Sequence, residues 1–171
     1  MFVRDTNTVK LTEDVKLLNS NYLARSDGGP RPVEILIVED NVADAILAKA
    51  ALHDAGLVHR TTVVRDGENA LALLRRHGKY ADAVRPDVVL LDLNLPKVSG
   101  YQILDEIRAV KPLHGIPVIV LSGIAVPKNM RRENEQNITV YLVKPLQLKE
   151  YLNIALAIRK ICNLVEQPID R

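Results

Sequence analysis

Six side chains scattered along the sequence could build a chemistry if the fold brought them together: Glu39 and Asp40, Asp92 with Asn94, Ser122, and Lys144. Clustered carboxylates repel one another, and burying them uncompensated raises their pKa values. A hard divalent cation relieves that repulsion. Mg²⁺ takes a few carboxylate or carbonyl oxygens, keeps several waters, and often shares its shell with a phosphate. Lys144 would add a fixed positive charge, and Ser122 with the backbone N–H of Gly123 would add hydrogen-bond donors. A carboxylate nucleophile, a cation, an ammonium and a hydroxyl are the parts phosphoryl transfer uses, because the moving group is stabilised mainly by positioning and charge. A carboxylate is also a known nucleophile toward phosphorus, giving an acyl phosphate.

Each candidate has a plainer reading by itself. Asp92 could cap a helix, Asn94 and Ser122 could serve turns, Lys144 could be a solvated surface lysine, and Tyr141 a half-buried core residue. What favours chemistry is where they fall. Val88-Val89-Leu90-Leu91 runs straight into Asp92, and a continuous apolar run of that kind reads as a buried central strand of a parallel sheet. Ligands of open α/β sheets gather outside the carboxyl ends of the strands. The other candidates also end predicted strands: Val33 to Val38 ends on Glu39-Asp40, Ile116 to Leu121 on Ser122-Gly123, and Ile138 to Val143 on Lys144-Pro145. A further strand covers Val58 to Val64.

Helical spacing fills the intervals. Asn41 caps a helix with Asp44 at its third position, Ala43, Leu47 and Ala50 mark its buried face, and Gly56 closes it. Asp66 caps the next, with Glu68 near its positive end and Ala70, Leu73 and Leu74 facing the core. Ser99-Gly100-Tyr101-Gln102 has the form of a capping box, with Leu104 and Ile107 on one face beyond it. A short polar helix is expected over Pro127 to Asn134. A last helix spans about Gln147 to Val165, with Leu148, Leu152, Ala155 and Cys162 expected on the sheet. A second stripe of Ile154, Ile158, Ile161 and Val165 is left facing water unless something covers it. Strands alternating with helices imply an α/β fold, a doubly wound five-stranded parallel sheet of order 2-1-3-4-5. Its first and third strands would flank the switch point where the carboxylates converge.

The 171 residues suit one domain with a sizeable core and an appendage. Residues 1–32 read as an N-terminal extension and linker, with Leu11, Val15, Leu18 and Tyr22 at helical spacing before the loose Ser26-Asp27-Gly28-Gly29-Pro30-Arg31-Pro32. Residues 33–166 form the domain and 167–171 a short tail. The net charge of +2, without a long Lys or Arg block, speaks against nucleic acid. The absence of a long apolar run speaks against a membrane span. One cysteine, Cys162, makes no internal disulfide and fits a reducing cytoplasm.

Residues 33 to 165 closely resemble the receiver domain of two-component response regulators, and within that family the stand-alone regulators that partner cyanobacterial and bacterial phytochromes. The motifs that carry the likeness are Val-Glu-Asp-Asn at 38–41 with Asp44, Val-Val-Arg-Asp-Gly at 63–67, Arg-Pro-Asp at 85–87, Leu-Leu-Asp-Leu-Asn-Leu-Pro-Lys at 90–97 with Gly100, and Tyr-Leu-Val-Lys-Pro at 141–145. The resemblance implies that Asp92 is the phosphoacceptor and that Asp40, Asp92 and the Asn94 backbone carbonyl bind Mg²⁺. It implies that Glu39 supports the metal through water or orients the lysine. Asn94, Ser122, Gly123 and Lys144 would hold the phosphoryl group, with a cis peptide before Pro145. Ser122 and Tyr141 would be the switch pair, Tyr141 swinging into the space that Ser122 leaves.

The chain departs from the family in carrying Ser rather than Thr at 122, in the polar run Arg131 to Asn137, and in its N-terminal extension. The expected partner is a histidine kinase, by analogy a phytochrome. With no output domain in view, signalling would pass through protein contacts or onward phosphotransfer, and a homodimer is expected through Ile154, Ile158, Ile161 and Val165. The chain would be no enzyme beyond its own phosphorylation and dephosphorylation. Two other readings remain: a haloacid-dehalogenase-like phosphatase, which wants an acid where Asn94 stands, and a phosphorylation-silent module of receiver shape.

Overall fold

The computed structural model describes residues 32–125, 139–144 and 146–161. Strand β1 (Val33–Val38), helix α1 (Val42–Asp54), β2 (His59–Val64), α2 (Gly67–Leu74), β3 (Val88–Asp92), α3 (Gly100–Ala109), β4 (Val118–Ser122), β5 (Thr139–Val143) and α4 (Leu148–Ile161) follow in chain order. The strands form one parallel sheet of order β2-β1-β3-β4-β5, as expected.

Alternating side chains along the strands feed two separate cores. Ile35, Ile37, Leu90, Ile119, Leu121, Val140 and Leu142 point to the face covered by α1 and α4. Leu36, Val38, Val89, Leu91, Val118 and Val120 point to the face covered by α2 and α3. Sandwiched between the layers, β3 is buried at every position, which is why its sequence shows no polar alternation before Asp92. Pairing in β4 starts at Val118 rather than Ile116, since Pro117 has no N–H to give. The Asn41 cap, the Asp66 cap and the Ser99–Gln102 capping box all form. No helix among the described residues is long and apolar enough to cross a membrane.

Two helices turn differently from expectation. In α1 the buried residues are Ala45, Ala48, Ala51 and Leu52, while Ala43 and Ala50 are exposed and Leu47 is half-buried. Apolar residues ring that helix, so spacing alone names no unique face. In α4 the stripe expected to face water is the one that packs: Ile154 and Ile158 are buried with Tyr151 and Ala155 against the alanines of α1. The helix turns that way because the bulky isoleucines fill the space the small α1 face leaves open. Leu148 and Leu156 are outside instead, 44% and 46% exposed, with Leu152 half-buried between them. The expected N-terminal helix and linker up to Arg31, the helix at 127–134, Ile138, Pro145, Cys162, Val165 and the side chain of Ile161 lie outside the described residues.

Candidate functional site

Parallel register brings the strand ends level. Val38 pairs with Leu91, Asp92 with Leu121, and Ser122 with Val143, so the residues that end β1, β3, β4 and β5 meet at one rim. The Lys144 N–H donates to the Ser122 carbonyl at 2.7 Å, extending the sheet by one more rung. Glu39, Asp92 and Ser122 are the buried polar residues of the described chain, at 2%, 5% and 4% exposure.

The Lys144 ammonium ties the rim together. It donates to Glu39 Oε2 at 2.6 Å and Asp92 Oδ2 at 2.7 Å, and lies 2.9 Å from Asp44 Oδ2. Burial alone would lower its pKa, but hydrogen bonds to Asp92, Glu39 and Asp44 outweigh that and hold the group well above the ordinary lysine range. Glu39 moves the other way for a carboxylate. Burial pushes it up to about 7, the Lys144 hydrogen bond pulls back, and the charge of Asp92 adds to the rise. The two shifts differ in cause, burial for Glu39 and carboxylate partners for Lys144, yet more carboxylates gather here than one ammonium offsets.

Carboxylate oxygens of Glu39, Asp40 and Asp92 lie within 4.8 Å of one another, so the surplus sits where a divalent cation could bridge it. Asp40 faces solvent beside the two buried acids, and its carbonyl accepts from Arg65 at 3.1 Å. Asp92 Oδ1 accepts the Asn94 N–H at 2.8 Å, which fixes the carboxylate and folds the loop after β3 back over it. Hard oxygen donors in this number suit Mg²⁺ or Mn²⁺ rather than a softer metal. The residues fit the ion.

Backbone close approach holds the loop. A Cβ on Gly100 would come within 2.4 Å of the Asp92 carbonyl oxygen, so α3 can start against the strand end only with glycine there. A Cβ on Gly67 would meet the Val98 carbonyl at 2.1 Å, which seats the same loop on the start of α2. Lys97, at a positive φ of 69°, reaches Glu68 at 3.1 Å and Asp66 at 3.4 Å from the loop's outer side.

Ser122 is buried at the end of β4, its Oγ accepting the Ile124 N–H at 3.3 Å. The Asn94 amide lies 3.9 Å from where a Cβ on Gly123 would stand, so the loops after β3 and β4 face each other across the rim. Tyr141 is half-buried on the α2–α3 face of β5. Glu39, Asp40, Asp92, Asn94, Ser122 and Lys144 thus share one site. Sequence reasoning gave Asp44 only a capping role; it stands one helical turn past Asp40, and that spacing was the signal that it could reach the same rim.

Residues 35–156 match the response regulator receiver domain, and the chain belongs to that family. It is 38% identical over 125 residues to the response regulator Rcp1 of Synechocystis, covering 73% of this chain and 85% of that protein. The phosphorylated cyanobacterial phytochrome response regulator RcpA superposes with a TM-score of 0.68 at 36% identity, over 81% of this chain and 99% of the other. The Mn²⁺-bound form of Rcp1 gives a TM-score of 0.67 at 35% identity, over 80% and 99%.

Proposed function

We propose that this receiver takes a phosphoryl group onto Asp92 from a histidine kinase of phytochrome type, in a step that depends on Mg²⁺. The observation that carries the reading is the Lys144 ammonium at 2.7 Å from Asp92 Oδ2, inside a cluster with an excess of carboxylates. An Asp92 oxygen attacks phosphorus, the phosphorus–nitrogen bond to the kinase histidine breaks, and that nitrogen takes up a proton. Asp40, Asp92 and the Asn94 carbonyl would hold the metal, which supplies positive charge to the phosphoryl oxygens. Lys144 keeps the Asp92 carboxylate oriented and offers its ammonium to the incoming group, and Ser122 Oγ and the Gly123 N–H offer donors from the loop after β4. Glu39, held at 2.6 Å, orients the lysine.

Ser122 moving toward the phosphoryl group would free space for Tyr141, and that pair would carry the change along β5 on the α2–α3 face of the sheet. That similar proteins include a phosphorylated phytochrome regulator and a Mn²⁺-bound form supports both the phosphoacceptor and the metal. The dimer reading moves to the outward side of α4, where Leu148 and Leu156 are exposed and Leu152 is half-buried between them. A cytoplasmic place rests on the single cysteine.

Intact mass after acetyl phosphate tests the core of this. One phosphoryl group should be added with Mg²⁺, none after metal removal, and none in Asp92→Asn. Labelling that persists in Asp92→Asn would assign the chemistry to another residue.

A further inference from the structure

Tyr151 stands in the first turn of α4, 2% exposed, among the residues that pack α4 on α1. Its hydroxyl is buried and has no hydrogen-bond partner among the described residues. A buried hydroxyl is normally satisfied, so one left unpaired asks for a reason. Phenylalanine would fill the same space without the unpaired group. Burial pushes the phenol well above its ordinary range, and among the charges acting on it Asp44 raises it most, with Lys144 opposing. The hydroxyl therefore keeps its proton, in the layer where α4 packs on α1, the helix whose first turn carries Asp44. Asp44 in turn is engaged by Lys144 at 2.9 Å, the longest of that ammonium's three carboxylate contacts.

We infer that Tyr151 is a positioning residue for the phosphorylated state: its hydroxyl donates to the Asp44 carboxylate once Lys144 leaves Asp44 for the phosphoryl group on Asp92. The inference rests on the reading of Asp92 as phosphoacceptor. In the resting protein the ammonium holds Asp44, and the phenol has no partner among the described residues. Drawing the ammonium toward a phosphoryl group strips Asp44 of that partner, and a buried O–H is then the donor at hand. Because Tyr151 sits on α4 and Asp44 on α1, the new bond joins the two helices of one layer and links the site to the outward side of α4. This path is separate from the Ser122–Tyr141 pair, which acts on the opposite face of the sheet.

The test uses the full chain with tyrosine labelled at the ring carbon bearing the hydroxyl, the Tyr151 resonance being the one missing from Tyr151→Phe. Adding Mg²⁺ with beryllofluoride, a stable stand-in for the phosphoryl group, should shift that resonance, while Mg²⁺ alone should not. Asp44→Ala should abolish the shift. Tyr151→Phe should bind beryllofluoride about tenfold more weakly, the scale of one hydrogen bond to a charged acceptor, with a resting Tm no lower than wild type. An unmoved resonance with beryllofluoride bound, a full shift in Asp44→Ala, or unchanged affinity in Tyr151→Phe would each overturn the inference. Wild-type protein that binds no beryllofluoride would overturn the Asp92 reading first, and this one with it.

Discussion

Gly100→Ala joins the fold to the chemistry in a single methyl group. The new Cβ would stand 2.4 Å from the Asp92 carbonyl oxygen and 2.6 Å from the Leu93 Cα, both of them backbone atoms that cannot rotate aside. Real Cβ contacts fall essentially never below 3.0 Å, so α3 and the end of β3 must part by about 0.6 to 1 Å. That movement stretches the 3.1 Å hydrogen bond from the Gly100 N–H to the Leu93 carbonyl and shifts the backbone that carries Asp92. Overpacking a well-filled contact costs about 1–3 kcal/mol, and alanine's better helix propensity returns at most about 1 kcal/mol. The net expectation is a loss of about 1–2 kcal/mol in unfolding free energy, read by urea titration. Displacing a reacting group by nearly an ångström costs up to about a hundredfold in rate, so labelling by acetyl phosphate should slow at least tenfold in the fraction that remains folded. A variant as stable as wild type that labels at the wild-type rate would refute the argument that the strand end and helix start touch this closely.

The Asp66 cap should show its own pH dependence. The hydrogen bond from the Asn69 backbone N–H holds the Asp66 carboxyl below its ordinary value, so its contribution is present above the unfolded-state pKa and fades as pH falls through the lowered folded one. Asp66→Ala should therefore cost about 1 kcal/mol at neutral pH, with the gap to wild type narrowing below about pH 4 in parallel urea titrations; a gap independent of pH would refute it. Leu156→Glu should leave a monomer in light scattering under conditions where wild type runs as a dimer, and a monomeric wild type at tens of micromolar would remove the interface.

Much of the site was legible because its residues end strands, and strand ends can be read from composition. Val88 to Leu91 announces a doubly covered strand, and everything that follows such a run falls on one rim of the sheet. The capping residues Asn41, Asp66 and Ser99 were equally local, since a cap is decided within three residues of itself. The faces of α1 and α4 were not legible. Both carry more apolar positions than one face can hold, and spacing cannot rank two adjacent stripes. Asp44 was read as a local helix group because its partner, Lys144, lies a hundred positions later in the chain.

The sequence by itself determined which residues end strands, which begin helices, and that acids, a lysine and a hydroxyl occupy those ends. Only the tertiary structure decided that one ammonium binds Glu39, Asp44 and Asp92 together, that Ile154 and Ile158 turn inward, and that the Tyr151 hydroxyl is buried without an acceptor among the described residues. The division has a physical cause. Local propensities and burial periods act over a few residues, whereas the pairing of charges and the rotation of a helix follow from how separate elements share space.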